Sequence, residues 1–135
     1  MTTLAEVMDG LSSRIGTIDG LSEFTPGGSA VFPAFLVPPP SIPDYRDDLG
    51  NGGYTAFFRI PVLVSQNYST NYRTLVPFID PRSPTSVFAA IEADRTLGGL
   101  NVDALATGAP QEMTPEEAAG YGAWGQVVAV IVMIT

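Results

Sequence analysis

Apolar residues recur at three- and four-residue steps near the start of the chain, at Leu4, Val7, Met8, Leu11, Ile15 and Ile18. This spacing lines one side of a helix. Thr3 and Glu6 stand at capping-box distance, so the helix is expected to begin at Thr3. Gly10 weakens the helix by about 1 kcal/mol relative to alanine, a position suited to close packing against a neighbour. Gly16 or Gly20 is expected to end it.

The pattern then changes period. Ala30–Val37 reads as a strand, with Pro33 placing it at an edge or on a bulge. Tyr54–Gln66 is the clearest strand. Phe58, Ile60, Val62 and Val64 share one face, and Thr55, Phe57, Arg59, Pro61 and Leu63 the other. The second face is also mostly apolar, so cover on both sides is expected. Ser69 or Thr70 is expected to cap a short helix carrying Tyr72, Leu75, Val76 and Ile79, with Pro77 kinking or stopping it. Ser83–Gly99 reads as another capped helix. Ser83 is the expected cap, Pro84 the first helical residue, Val87, Phe88 and Ile91 the apolar stripe, and Gly98 and Gly99 the stop.

Val102–Ala109 reads as a strand with imperfect alternation. Thr114-Pro115-Glu116-Glu117 is a second capping sequence, opening a short helical or looped insertion. Ala123–Thr135 is the last strand. Its core, Val127–Ile134, is unbroken apolar sequence, which belongs in the interior of a sheet and not at an exposed edge. Val128, Val130, Val132 and Ile134 share one face, and Val127, Ala129, Ile131 and Met133 the other. One set is expected to meet helices and the other a second layer, such as a neighbouring subunit. The order α-β-β-α-α-β-β implies an α+β fold over residues 1–135: a mostly antiparallel sheet with helices packed on one face, in a single domain.

Between the first two expected strands lies Pro38–Gly53, PPPSIPDYRDDLGNGG. Its prolines and glycines rule out regular structure, so it reads as a loop or arm, stiff at first and flexible later. If it forms an interface, Tyr45 and Arg46 are its expected anchors, because aromatic and arginine side chains dominate interface hot spots. Asp47 and Asp48 beside them, and Val128 and Val130 on the last strand, complete the candidate interface residues.

Charge narrows the function classes. The 135 residues carry a net charge of −8, and all six basic residues are unclustered arginines. Gripping nucleic acid needs several cations on one face, so no specific nucleic-acid binding is expected. Charged residues make up only 15% of the chain, below the usual quarter, which fits a protein that hides surface in an oligomer. The start is amphipathic and lacks the basic-then-apolar pattern of a signal peptide. The apolar run at the end is far shorter than the roughly 20 residues of a membrane-spanning helix. A soluble, cytosolic chain is expected.

Candidate chemistry is sparse. With no cysteine and no histidine, thiolate catalysis, zinc–thiolate sites and the commonest general base are excluded. Asp44, Asp47, Asp48 and Asn51 do not follow the calcium-loop pattern of alternating oxygen ligands with a glutamate at its twelfth position. Glu92 with Asp94, and Glu116 with Glu117, are carboxylate pairs without a pocket signature. Gly50–Gly53 is not followed by the Gly-Lys-Ser/Thr of a phosphate loop. Asn67-Tyr68-Ser69 matches a glycosylation acceptor without a secretion signal. Serine has no histidine or lysine partner and no nucleophile elbow. No catalytic, cofactor-binding or metal-binding residue is expected, and the chain reads as structural rather than as an enzyme.

Three stretches carry a family likeness: TTLAEVMDGLSSRI, YTAFFRIPVLVS and SVFAAIEADRTLGGLNVDALATGA. In this order and spacing the chain resembles the tail terminator proteins of long non-contractile-tailed phages, especially those of actinobacterial hosts, which relate to the tail-completion protein of lambda-like phages. The arm lacks a basic anchor run, and Gln111–Gly122 has no clear counterpart in that family. The resemblance implies a hexameric ring in the virion neck, assembled in the host cytoplasm. That ring caps the head-proximal end of the tail tube, stops its polymerisation and meets the head–tail connector or stopper protein. Six copies would multiply the −8 charge sixfold, which suits a lumen through which DNA slides without sticking. A connector or stopper protein is the alternative within that class. A small cytosolic enzyme or ligand-binding subunit is the alternative from another.

Overall fold

The computed structural model describes residues 2–25, 31–42, 53–64 and 68–135. Helix α1 spans Leu4–Ile15 and opens on the expected capping box: the Glu6 N–H donates to Thr3 Oγ1 and the Thr3 N–H to Glu6 Oε1. Val7, Leu11 and Ile15 are buried, and Gly16 follows as the cap. Gly10 faces the turn after α3. A β-carbon there would lie 2.9 Å from Leu97 Cβ and 3.0 Å from the Leu97 carbonyl oxygen, the close packing expected of this glycine.

Among the described residues, five strands form one sheet in the order β1-β2-β3-β5-β4. They are β1 (Ser22–Glu23), β2 (Ala34–Phe35), β3 (Tyr54–Val64), β4 (Val102–Glu112) and β5 (Trp124–Ile134). Only the short β1–β2 pair is parallel; the other pairs are antiparallel. The fold is α+β. The helices α2 (Tyr68–Ile79) and α3 (Val87–Ala93) pack with α1 over one face, and α4 (Pro115–Tyr121) lies apart from them against β5. As expected, β5 is an interior strand, paired along its whole length with β3.

Several expected boundaries shift. Within the described part of the expected Ala30–Val37 strand, only Ala34 and Phe35 form a strand, and it lies between β1 and β3 rather than at the sheet's edge. Pro38, Pro39 and Pro40 have no N–H to give to β3, and pairing resumes only at Ser41, which exchanges two backbone hydrogen bonds with Phe57. Strand β1 escapes the sequence pattern because two residues carry no periodicity. Helix α2 starts at Tyr68, before the expected caps, and ends two residues past Pro77. Its buried stripe is Leu75, Phe78 and Ile79, whereas Tyr72 and Val76 face outward.

The cap of α3 is Ser86, not Ser83. Ser86 Oγ accepts the Ala89 N–H at 3.1 Å, while Ser83 Oγ accepts the Thr85 N–H and closes a local turn instead. The buried stripe of α3 is Val87, Ala90 and Ile91, with Phe88 partly buried. The helix ends at Asp94, whose carboxylate accepts the Thr96 and Gly98 N–H groups. Hydrogen bonding from the Thr96 hydroxyl, with those N–H groups, holds its pKa below the usual value. Leu97, Gly98 and Gly99 then take positive φ. The glycines therefore adopt the expected left-handed conformation, but in the turn beyond the helix. Strand β4 runs past its expected end to Glu112 and carries a bulge: it advances from Thr107 to Gln111 while β5 advances from Ala129 to Val127. Gly108, at φ 70°, permits the detour. The Thr114 capping sequence opens α4 as expected, with both capping-box bonds present.

Candidate functional site

The two faces of the sheet differ. Phe58, Ile60, Val62, Val64, Val128, Val130, Val132 and Ile134 point toward α1, α2 and α3 and form the main core. The opposite face is divided in two. At one end, Leu63, Val127, Met113 and Ala123 make a second, smaller core, flanked by Phe24, Phe32, Tyr121 and Trp124. Phe24 and Tyr121 meet edge to face, with ring centroids 6.2 Å apart. Gly125 allows the backbones to approach here, because a β-carbon on it would overlap the Val62 carbonyl. Toward the other end no described element covers the face. Phe57 is 41% exposed and Met133 44%, with Leu105, Ala129 and Ile131 half-buried between them. Ile131 pairs with Phe57 on one side and Leu105 on the other, so these side chains form one continuous apolar patch.

Two ion pairs border the patch. Arg59 stands between the covered and uncovered ends. It donates to Gln111 Oε1 at 2.8 Å and Glu117 Oε1 at 2.9 Å, tying β3 to β4 and α4. Burial raises the pKa of Glu117, but the Thr114 backbone N–H and Arg59 outweigh that and hold it below the usual glutamate value. Burial and the Glu117 charge push Tyr121 up. On the β4 side, Arg95 pairs with both oxygens of Asp103, at 2.8 and 2.9 Å. Arg95 also covers the outer edge of β4: its carbonyl accepts the Ala104 N–H, and its Nε donates to the Ala104 carbonyl.

The residues expected at an interface fare unequally. Tyr45, Arg46, Asp47 and Asp48 lie outside the described residues. Val128 and Val130 do not belong to a surface at all: both are 0% exposed within the single chain, beneath the helices. The helical layer selects the even-numbered face of β5, which leaves Ile131 and Met133 for any external contact. The signal that could have found the open face is the placement of polar residues. On β3, Thr55 and Arg59 flank Phe57, whereas Phe58, Ile60, Val62 and Val64 have no polar residue between them on their face. Glu92 with Asp94, and Glu116 with Glu117, remain surface groups without a metal-holding cluster among the described residues. No helix among those residues is long and apolar enough to cross a membrane. No protein-family model matches this sequence, and no curated protein matches it either.

Proposed function

We propose that this chain is a structural virion protein, a tail terminator that assembles as a ring, in six copies, on the head-proximal end of a phage tail tube. In this reading it stops tube growth and forms the joint to the head connector, with no catalytic activity. The family likeness of the three sequence stretches supplies the identity of the assembly. The observation that carries the reading is the uncovered apolar end of the sheet, centred on Phe57, Ile131 and Met133, in a chain with few charged residues. Apolar surface gathered on one face, with a polar border, is characteristic of association surfaces. The net charge of −8 favours a ring whose lumen passes DNA without binding it.

Deletion of the gene followed by particle imaging tests the reading. Overlong or headless tails are the expected result. Full heads beside free tails of normal length would instead assign the chain to head–tail joining, as a connector or stopper protein. Unchanged particles would overturn both.

A further inference from the structure

Among the described residues, the exposed large apolar side chains are Val31, Phe57, Tyr72, Val76 and Met133. Four of them fall into two groups on opposite layers of the molecule. Phe57 and Met133 lie on the open face of the sheet. Tyr72 and Val76, one turn apart and 41% and 37% exposed, lie on the outer side of α2. We propose that these are two halves of one contact: the outer side of α2 in one copy seats on the open sheet face of the next, head to tail.

Charge argues for a second copy as the occupant. The chain carries 14 acidic residues against 6 basic ones, so most pairings of its own surfaces bring like charges together. These two surfaces avoid that. Helix α2 contains no acidic residue and one arginine, Arg73. The sheet patch is bordered by Arg59 with Glu117 and Arg95 with Asp103, each already neutralised within the chain. Among the described residues, a cationic helix face meeting a neutral apolar sheet face carries no like-charge penalty. Because the two surfaces differ and lie on opposite layers, the contact is heterologous, and a heterologous contact repeats until it closes as a ring or runs on as a filament. Closure as a ring rests on the function proposed above; the contact itself does not.

The chain has no cysteine, so Val76→Cys and Met133→Cys each introduce a single thiol at an exposed position. Treatment of the purified variants of this chain with a short bifunctional maleimide tests the geometry. A mixture of the two variants is expected to give a cross-linked heterodimer, with neither variant cross-linking alone. The double variant is expected to give a ladder of multimers. Met133→Glu should raise the concentration needed for association by roughly tenfold or more, as for loss of an interface hot spot, with unchanged circular dichroism. Cross-linking of Met133→Cys to itself, with no gain on mixing, would establish a face-to-face sheet dimer and overturn the proposal. So would the absence of any cross-link. A missing cross-link with overlong tails in the deletion would reject this contact and keep the terminator; a ladder with unchanged particles would do the reverse.

Discussion

Strand β5 has two sides that the sequence makes look alike and the fold makes unlike. Val128, Val130 and Val132 are sealed beneath the helices, while Ala129, Ile131 and Met133 stand half-buried or exposed. Both sets are apolar, so hydrophobicity alone does not say which is core. Among the described residues, the difference comes from three helices that all pack on one side of the sheet, and from a smaller group around α4 that covers only one end of the other side. An apolar strand is thus interior to the sheet without being interior to the molecule.

Aspartate substitution breaks this comparison most sharply. Val130→Asp places a carboxylate in a fully buried site with no charged partner. It should cost on the order of 4 kcal/mol or more and leave no cooperative melting transition. Ile131→Asp, one residue along, should retain a folded domain, with a melting temperature lowered only modestly and association lost. Equal damage from both would mean that the second face is as closed as the first.

Gly125→Ala probes the covered end of that second face. Its new methyl group meets the Val62 backbone, which cannot rotate away as a side chain could. A loss of about 2–3 kcal/mol is expected in denaturant titrations, within the range for overpacking. The same change at Gly120, a helical position with open space around it, should be neutral to stabilising by up to about 1 kcal/mol. If Gly125→Ala is also neutral, β3 and β5 are not tightly apposed there.

Arg59 marks the boundary between the two ends. Arg59→Ala removes its bonds to Gln111 and Glu117 at a half-exposed site, so about 0.5–1 kcal/mol is expected from chemical denaturation. The acid limb sharpens this. The folded-state pKa of Glu117 is depressed, so its contribution is present above the unfolded glutamate pKa and fades as pH falls through the lower folded value. Glu117→Gln should flatten that part of the pH–stability curve, and Arg59→Ala should flatten it partly. A curve of unchanged shape in both would remove Glu117 from the acid response. Smallest of all, Met133→Ser should alter stability by no more than about 0.5 kcal/mol, since the side chain is largely outside the core.

The α+β architecture was legible wherever a segment carried a full period. The cap and stripe of α1, the faces of β3 and the interior place of β5 all follow from residue spacing. What was not legible depended on partners distant in the chain. Ser83 and Ser86 are equally good caps in isolation, and only the turn closed by Ser83 decides for Ser86. Tyr72 and Leu75 both suit an apolar stripe, and only the angle at which α2 meets the sheet buries Leu75 and exposes Tyr72. On β5 the open face was hidden for the same reason. Val128 and Val130 look no different from Ile131 and Met133 until the helical layer is in place. Arg59, whose two partners lie more than fifty residues away, could be read only as one polar residue in an apolar strand.

The missing side chain at Gly125 also bears on how the chain finds its fold. With apolar residues at almost every position of β5, sliding it two places along β3 would keep the same side chains facing inward, and hydrophobic burial would barely distinguish the wrong alignment from the right one. Such a slide would bring Ala123 or Val127 to the place where only a hydrogen fits beside the Val62 carbonyl. The glycine therefore acts as a notch that rejects misaligned decoys during assembly of the sheet, giving a nearly featureless apolar strand a single position in which to stop.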